Sequence, residues 1–393
     1  MRYVELIHAM AESITLEASS ISYGELGCRI LNLPFASEAA RIVPQLMGRE
    51  LAGSLSREES RAALSDVRIV ENHCFVYPVL TGLSAAKAER VIVLFHGLNE
   101  RRWDRYIGWA QRLRTQTGAA VLLFPMAFHM NRAPGRWSDP RRMIPVSRLR
   151  SRRLESAGLS SFANAALSIR IDEYPQRFFW SGLISYLDVV QLIRQIRANG
   201  NPAIDRNAHI DVFGYSIGAL LAQLLLVGNP DGQLGASRGF LFCGGTTLGA
   251  MHPASRHILD TGAGERLQQY CEQSSADKSW FNRLLASGYA GLQSVVSFFS
   301  SMLNTAMLRD LRESRLRQIA SRISAVALER DEVVPGAAIA SVLRGARGDI
   351  PTEVEVLDFP HRYTHEDPFP VEAAPLVNDS FDAVFSRAAA RLA

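Results

Sequence analysis

The stretch Ile210-Asp-Val-Phe-Gly214-Tyr215-Ser216-Ile217-Gly218-Ala-Leu-Leu-Ala-Gln-Leu-Leu-Leu-Val227 decides how this 393-residue chain is read. Residues 210–213 are mostly apolar and lead into Gly-x-Ser-x-Gly. Residues 219–227 are apolar except for Gln223 and lead out of it. The pattern predicts a buried strand that turns at once into a helix. Such a turn strains its middle residue and leaves room only for small neighbours two positions away on either side. Gly214 and Gly218 supply that room. Ser216 is then lifted clear of a sheet at a helix N-terminus. There the helix dipole and the free N–H of Ile217 are available to a developing negative charge.

Upstream, residues 181–197 carry apolar positions at helical spacing and stop at Asn199-Gly200-Asn201-Pro202. Before them lie two continuous apolar runs, 91–95 and 119–124, as strands covered on both faces require. The first ends in His96-Gly97-Leu98-Asn99, the second in a loop containing His129, Asn131 and Arg132. Loops at the carboxyl ends of parallel strands line the ligand crevice, so these three side chains are expected at a site. Asn99 and Tyr215 are read with them as substrate contacts. Residues 67–70 and 74–80 are expected to form an antiparallel hairpin entering the sheet. Residues 1–64 read as an N-terminal helical extension, with Ala40, Val43, Met47, Leu51 and Leu55 on its apolar side.

Downstream, residues 239–243, 323–328 and 354–359 continue the strand series. The second runs into Glu329-Arg-Asp331-Glu332-Val-Val-Pro335, the third into Pro360-His361-Arg-Tyr-Thr-His365-Glu-Asp-Pro368. Between them and the Ser216 helix, residues 248–318 break the alternation and read as several helices. Strand, helix, strand, turn and helix in this order point to an α/β protein with a mostly parallel sheet and helices on both faces.

These features together resemble the α/β-hydrolase superfamily over residues 65–393. The resemblance implies a nucleophile elbow at Ser216, an acid at Asp331 with Glu329 and Glu332 as rivals, and a general base at His365 with His361 as its competitor. The order Ser, Asp, His along the chain is that of the superfamily. The resemblance also implies an oxyanion hole from the backbone N–H groups of Leu98 and Ile217, and a helical cap at 248–318. It treats His96 as structural. The activity implied is acyl-bond cleavage, a carboxylic ester first, through a Ser-His-Asp triad with no metal or organic cofactor. Thioesterase, peptidase or acyltransferase action would use the same residues, and a non-catalytic binding protein on the same fold is the rival from another class.

Bulk composition narrows the partners. Hydrophobic residues make 47% and charged residues 21%, which excludes a disordered chain. Residues 130–180 hold ten arginines against four acids, so this insertion is +6 within a chain of net +4. It is read either as attraction for an anionic substrate or as a solvated or ion-paired face. No aromatic interleaving accompanies its densest arginines, so no nucleic-acid partner is expected; the partner is a small acyl substrate. The four cysteines lie far apart without metal-ligand spacing. The N-terminus lacks a signal-peptide core, and no run of about 18 apolar residues spans a membrane. A cytoplasmic protein with reduced thiols is expected.

Overall fold

The computed structural model describes residues 1–10, 15–46, 66–153, 158–273 and 292–393. Nine strands form one sheet: β1 (Ser20–Tyr23), β2 (Cys28–Ala36), β3 (Cys74–Gly82), β4 (Ala88–Phe95), β5 (Ala120–Leu123), β6 (Ile204–Tyr215), β7 (Gly239–Phe242), β8 (Ile323–Leu328) and β9 (Glu353–Leu357). Their order is β1-β2-β3-β5-β4-β6-β7-β8-β9. The first three pair antiparallel and β3 meets β5 antiparallel; every later pair is parallel. This is the α/β-hydrolase fold. The chain passes from β5 across β4 to β6, so the sheet reverses its winding between β4 and β6. The crevice at their carboxyl ends is where such folds place ligands.

Each face of the sheet has its own core. Val91, Val93, Ile210 and Val212 pack under the helices Gln176–Arg197, Ile217–Gly228 and Leu292–Ser301. Ile92, Leu94, Phe213 and Phe240 pack under Tyr3–Met10, Asp104–Thr117 and Leu376–Leu392. The period-two alternation of β4 and β6 divides their side chains between the two cores. Trp109 stands at the centre of the second, with its ring against those of Tyr215, Phe242 and Phe385 at 5.2–5.9 Å.

Two expectations are corrected. Residues 20–36 are strands of the central sheet rather than a helical extension. Cys28 and Ile30 point inward with exposed or half-buried residues between them, and the register pairs Ile30 with Leu80. The turn residues 24–27 join β1 to β2, with Gly27 at φ 57°. Among the described residues of this region the helices are Tyr3–Met10 and Ala39–Leu46; Met47, Leu51 and Leu55 lie outside the described residues.

The hairpin expected at 67–70 is also absent. Asp66–Arg68 is a 3-10 turn and Val70–His73 a helical turn, and the antiparallel partner of β3 is β2. Asp66 is drawn inward by Arg170 at 2.6 Å and Asn72 by Arg132 at 3.1 Å, while Val67 and Val70 are left exposed.

For the arginine-rich insertion the structure favours the ion-paired reading over attraction of an anionic substrate. Its inward arginines are neutralised by acids, some within the insertion and some from elsewhere in the chain. Arg132 pairs with Asp188 at 2.7 Å, both fully buried. Arg150 pairs with Asp260 and Asp172, Arg170 with Asp66, and Arg177 with Glu173. The insertion and the later helices therefore form one body: Ala165–Glu173 packs against Thr261–Gln273, and Phe179 stacks on Phe299 at 4.0 Å. No helix among the described residues is long and apolar enough to cross a membrane.

Candidate active site

The turn after β6 has the strain its sequence demanded. Ser216 sits at φ 55°, ψ −121°, and its N–H donates to the Phe242 carbonyl at 2.9 Å. A Cβ on Gly214 would lie 2.5 Å from the Gly218 carbonyl oxygen, and one on Gly218 would lie 2.5 Å from the Phe95 carbonyl oxygen. Both contacts are with backbone that cannot yield, so neither position accepts a side chain. The helix Ile217–Gly228 starts directly at Ser216.

Ser216 Oγ lies 2.7 Å from His365 Nε2, and His365 Nδ1 lies 2.7 Å from Asp331 Oδ2. All three are 4–5% exposed. The second carboxylate oxygen of Asp331 accepts the N–H groups of Val333 and Val334 at 3.0 and 2.8 Å. Those bonds occupy Oδ1 and leave Oδ2 for the ring. Glu329 and Glu332 point into solvent. His361 is 5% exposed but bonded elsewhere, its Nε2 to the Pro368 carbonyl at 3.2 Å and its Nδ1 facing Ser380 Oγ at 3.4 Å. The structure thus brings together Ser216, His365 and Asp331.

Residues whose supporting role the sequence reading missed hold this constellation from beneath. Tyr215 donates its hydroxyl to the His365 carbonyl, and its ring is parallel to the imidazole within 16°. Arg105 bonds the Glu366 carbonyl and pairs with Glu100, tying the histidine loop to the loop after β4. Cys243, at φ 49° after β7, lies against Asp331. Burial first, then the Asp331 charge and hydrogen bond, push its pKa well above the usual thiol value. It remains a thiol that can donate to the carboxylate. A lone cysteine after an apolar strand carries no such signal in sequence.

The loop after β4 is set by backbone contacts. The Gly97 N–H donates to Tyr106 Oη at 3.1 Å, and Tyr106 donates to Glu100 at 2.9 Å. His96 accepts the Met126 N–H through Nε2 at 2.9 Å, which leaves Nδ1–H to donate to the Gly97 carbonyl at 2.8 Å. Burial drives its pKa well below the normal value, so it is neutral and structural. Leu98 and Ile217 line one small apolar cavity of about 40 Å³ with Met126, Phe178, Leu221 and Phe299.

Of the expected substrate contacts, several are consumed internally. Arg132 is fully buried with Asp188 and Asn72, so it faces no site. Asn131 donates to the Val76 carbonyl at 2.8 Å. Tyr215 is 1% exposed and supports the histidine from below. Asn99, at φ 62°, staples the loop to the carbonyls of Ala163 and His257 at 2.9 and 2.6 Å. His129 differs. Its Nδ1–H donates to the Ala127 carbonyl at 2.8 Å, while Nε2 is buried without a partner among the described residues and the residue lines the apolar cavity. Burial pushes its pKa down to about 3.

The chain is similar in fold to solved esterases. Carboxyl esterase 2 of the mycorrhizal fungus Tuber melanosporum is 13% identical, with 81% of each chain covered and a TM-score of 0.45. A thermostable esterase from Pseudomonas putida ECU1011 is 14% identical over 91% of this chain and 98% of its own, at 0.45. A bacterial heroin esterase is 12% identical over 100% and 90%, at 0.46. No curated protein matches the chain. A family model described as a family of unknown function, DUF6051, matches residues 1–393.

Proposed function

The chain belongs to the family of unknown function DUF6051, and we propose that it is a serine hydrolase that cleaves a carboxylic ester through an acyl-enzyme. The observation that carries this reading is the unbroken line from Ser216 Oγ through His365 to Asp331, with 2.7 Å at both links. Hydroxyl, imidazole and carboxylate at these spacings form a nucleophile, a base and an orienting acid.

In the proposed cycle His365 Nε2 takes the Ser216 proton as Oγ attacks the ester carbonyl. Asp331 fixes the Nδ1–H tautomer and stabilises the imidazolium. The N–H groups of Leu98 and Ile217 receive the tetrahedral oxyanion, the second aided by the helix dipole. His365 then passes its proton to the leaving alkoxide. Water repeats the steps on the acyl-enzyme, with His365 as base, and releases the acid. The cycle is complete with groups of this chain.

The test is turnover of 4-nitrophenyl esters from acetate to octanoate, run beside labelling with a fluorophosphonate. Hydrolysis and labelling by the wild type, both absent in Ser216→Ala, are the expected result. A folded wild type that neither hydrolyses nor labels would favour a binding role on a hydrolase fold.

A further inference from the structure

Leu98 borders two spaces. One is the small apolar cavity, which has room for only a few heavy atoms. The other is an open groove of about 490 Å³ that reaches from Leu98 to Glu366, next to His365, and is walled by Arg101, Trp137, Phe162 and His257. The two spaces thus flank Ser216: Leu98 and its neighbour Ile217 line the first, and Leu98 and Glu366, next to His365, line the second.

The charges of the groove are mostly spent. Arg102 pairs with Asp104 at 2.6 Å and Arg105 with Glu100. Arg101 is different. Its Nη2 donates to Asn99 Oδ1 at 2.5 Å, but Nε and Nη1 are enclosed and meet no acceptor among the described residues. No carboxylate among the described residues forms an ion pair with it. Its guanidinium lies 5.8 Å from the centre of the Trp137 ring. Burial first, then the Arg170 guanidinium, lowers its pKa to about 10, so it remains charged at neutral pH. Enclosing a cation with unfilled donors is costly, and the cost is offset when a bound group supplies the charge and the acceptors. Glu366, among the described residues the groove carboxylate outside an ion pair, is half-buried next to His365.

We propose that Arg101 is a specificity residue that binds an anionic group on the alcohol portion of the ester, so that the substrate joins a short acyl group to an alcohol or phenol bearing a carboxylate. This rests on the serine-hydrolase reading above. The apolar cavity takes the acyl methyl. The aromatic walls at Trp137 and Phe162 take the body of the leaving group, and the guanidinium takes its charge. The arginine that selects the substrate is therefore outside the arginine-rich insertion, five residues after His96.

The experiment compares 4-acetoxybenzoate with its neutral methyl ester in the wild type, Arg101→Gln and Arg101→Lys. The expected result is a higher kcat/KM for the anion in the wild type, carried mainly by KM. That preference should fall about ten- to a hundredfold in Arg101→Gln and persist in part in Arg101→Lys. Equal use of both esters by the wild type, or an unchanged preference in Arg101→Gln, overturns the proposal. Calorimetry with 4-hydroxybenzoate on Ser216→Ala, with and without Arg101→Gln, reads the site without turnover. Binding lost with the arginine supports it, whereas no binding to Ser216→Ala overturns it even if ester hydrolysis stands. Binding by Ser216→Ala with no hydrolysis by the wild type would leave the anion site and remove the hydrolase reading.

Discussion

The turn at Ser216 and the arginine-rich insertion both stand out in the sequence, and the fold uses them in opposite ways. At the turn, the backbone dictates the residues. A strand that becomes a helix in one step forces φ 55° on Ser216 and excludes side chains at Gly214 and Gly218. Its meaning is local and can be read from five letters. In the insertion, four of the arginines turn inward to Asp188, Asp260, Asp66 and Glu173, and three of these acids lie 56, 110 and 104 residues away. Charge density there reports packing between distant segments. Arg101 instead borders the groove after β4, and among the described residues no carboxylate pairs with it. A motif that constrains backbone thus indicates chemistry more directly than a motif that accumulates charge.

The sharpest way to break this contrast is at the turn. Ser216→Ala should lower kcat by about 10⁶-fold with the fold intact, as measured by ester turnover and circular dichroism. Asp331→Asn should lower kcat by about 10⁴-fold, because the amide favours the wrong imidazole tautomer, with KM nearly unchanged. In the insertion the effects should fall on stability. Asp188→Asn leaves Arg132 buried without its counter-charge and should cost about 3–5 kcal/mol in urea unfolding. Asp188→Asn with Arg132→Met should recover part of that loss.

The buried His129 gives a pH test. Its folded pKa of about 3 lies below the ordinary 6.5, so below pH 6.5 the unfolded chain takes up a proton that the folded chain does not. The stability this histidine contributes is therefore full above pH 6.5 and is lost as pH falls towards 3. The loss is about 1.4 kcal/mol per pH unit. Unfolding curves between pH 6 and pH 4 should show a shallower slope in His129→Gln. The smallest effect should come from Arg148→Gln. This residue is exposed two positions before the buried Arg150, and its stability change should stay within about 0.5 kcal/mol. A loss there as large as for Arg150→Gln would break the distinction between inward and outward arginines.

Much of the fold was legible because its parallel strands are short apolar runs with turn signals, and each loop that builds the site follows one of them. His365 could be preferred over His361 from its flanking Glu-Asp-Pro, and the imidazole that meets Ser216 is that of His365. The antiparallel edge was not legible. In β2 the inward set Cys28, Ile30 and Asn32 mixes apolar with polar residues, and its partner β3 begins at Cys74, so neither period nor proximity marks the pairing. The supports of the site were hidden for a similar reason. Tyr215, Arg105 and Cys243 act through a carbonyl, a loop and a carboxylate that only tertiary structure brings to them.

The most direct test of the account is peptide mapping by mass spectrometry after incubation with a fluorophosphonate. It predicts one phosphonylated residue, Ser216, in the wild type and a loss of at least a hundredfold in labelling rate in His365→Ala, with His361→Ala labelled at the wild-type rate. Absence of the adduct from the folded wild type, or labelling of Ser216 that depends on His361 and not on His365, would contradict it.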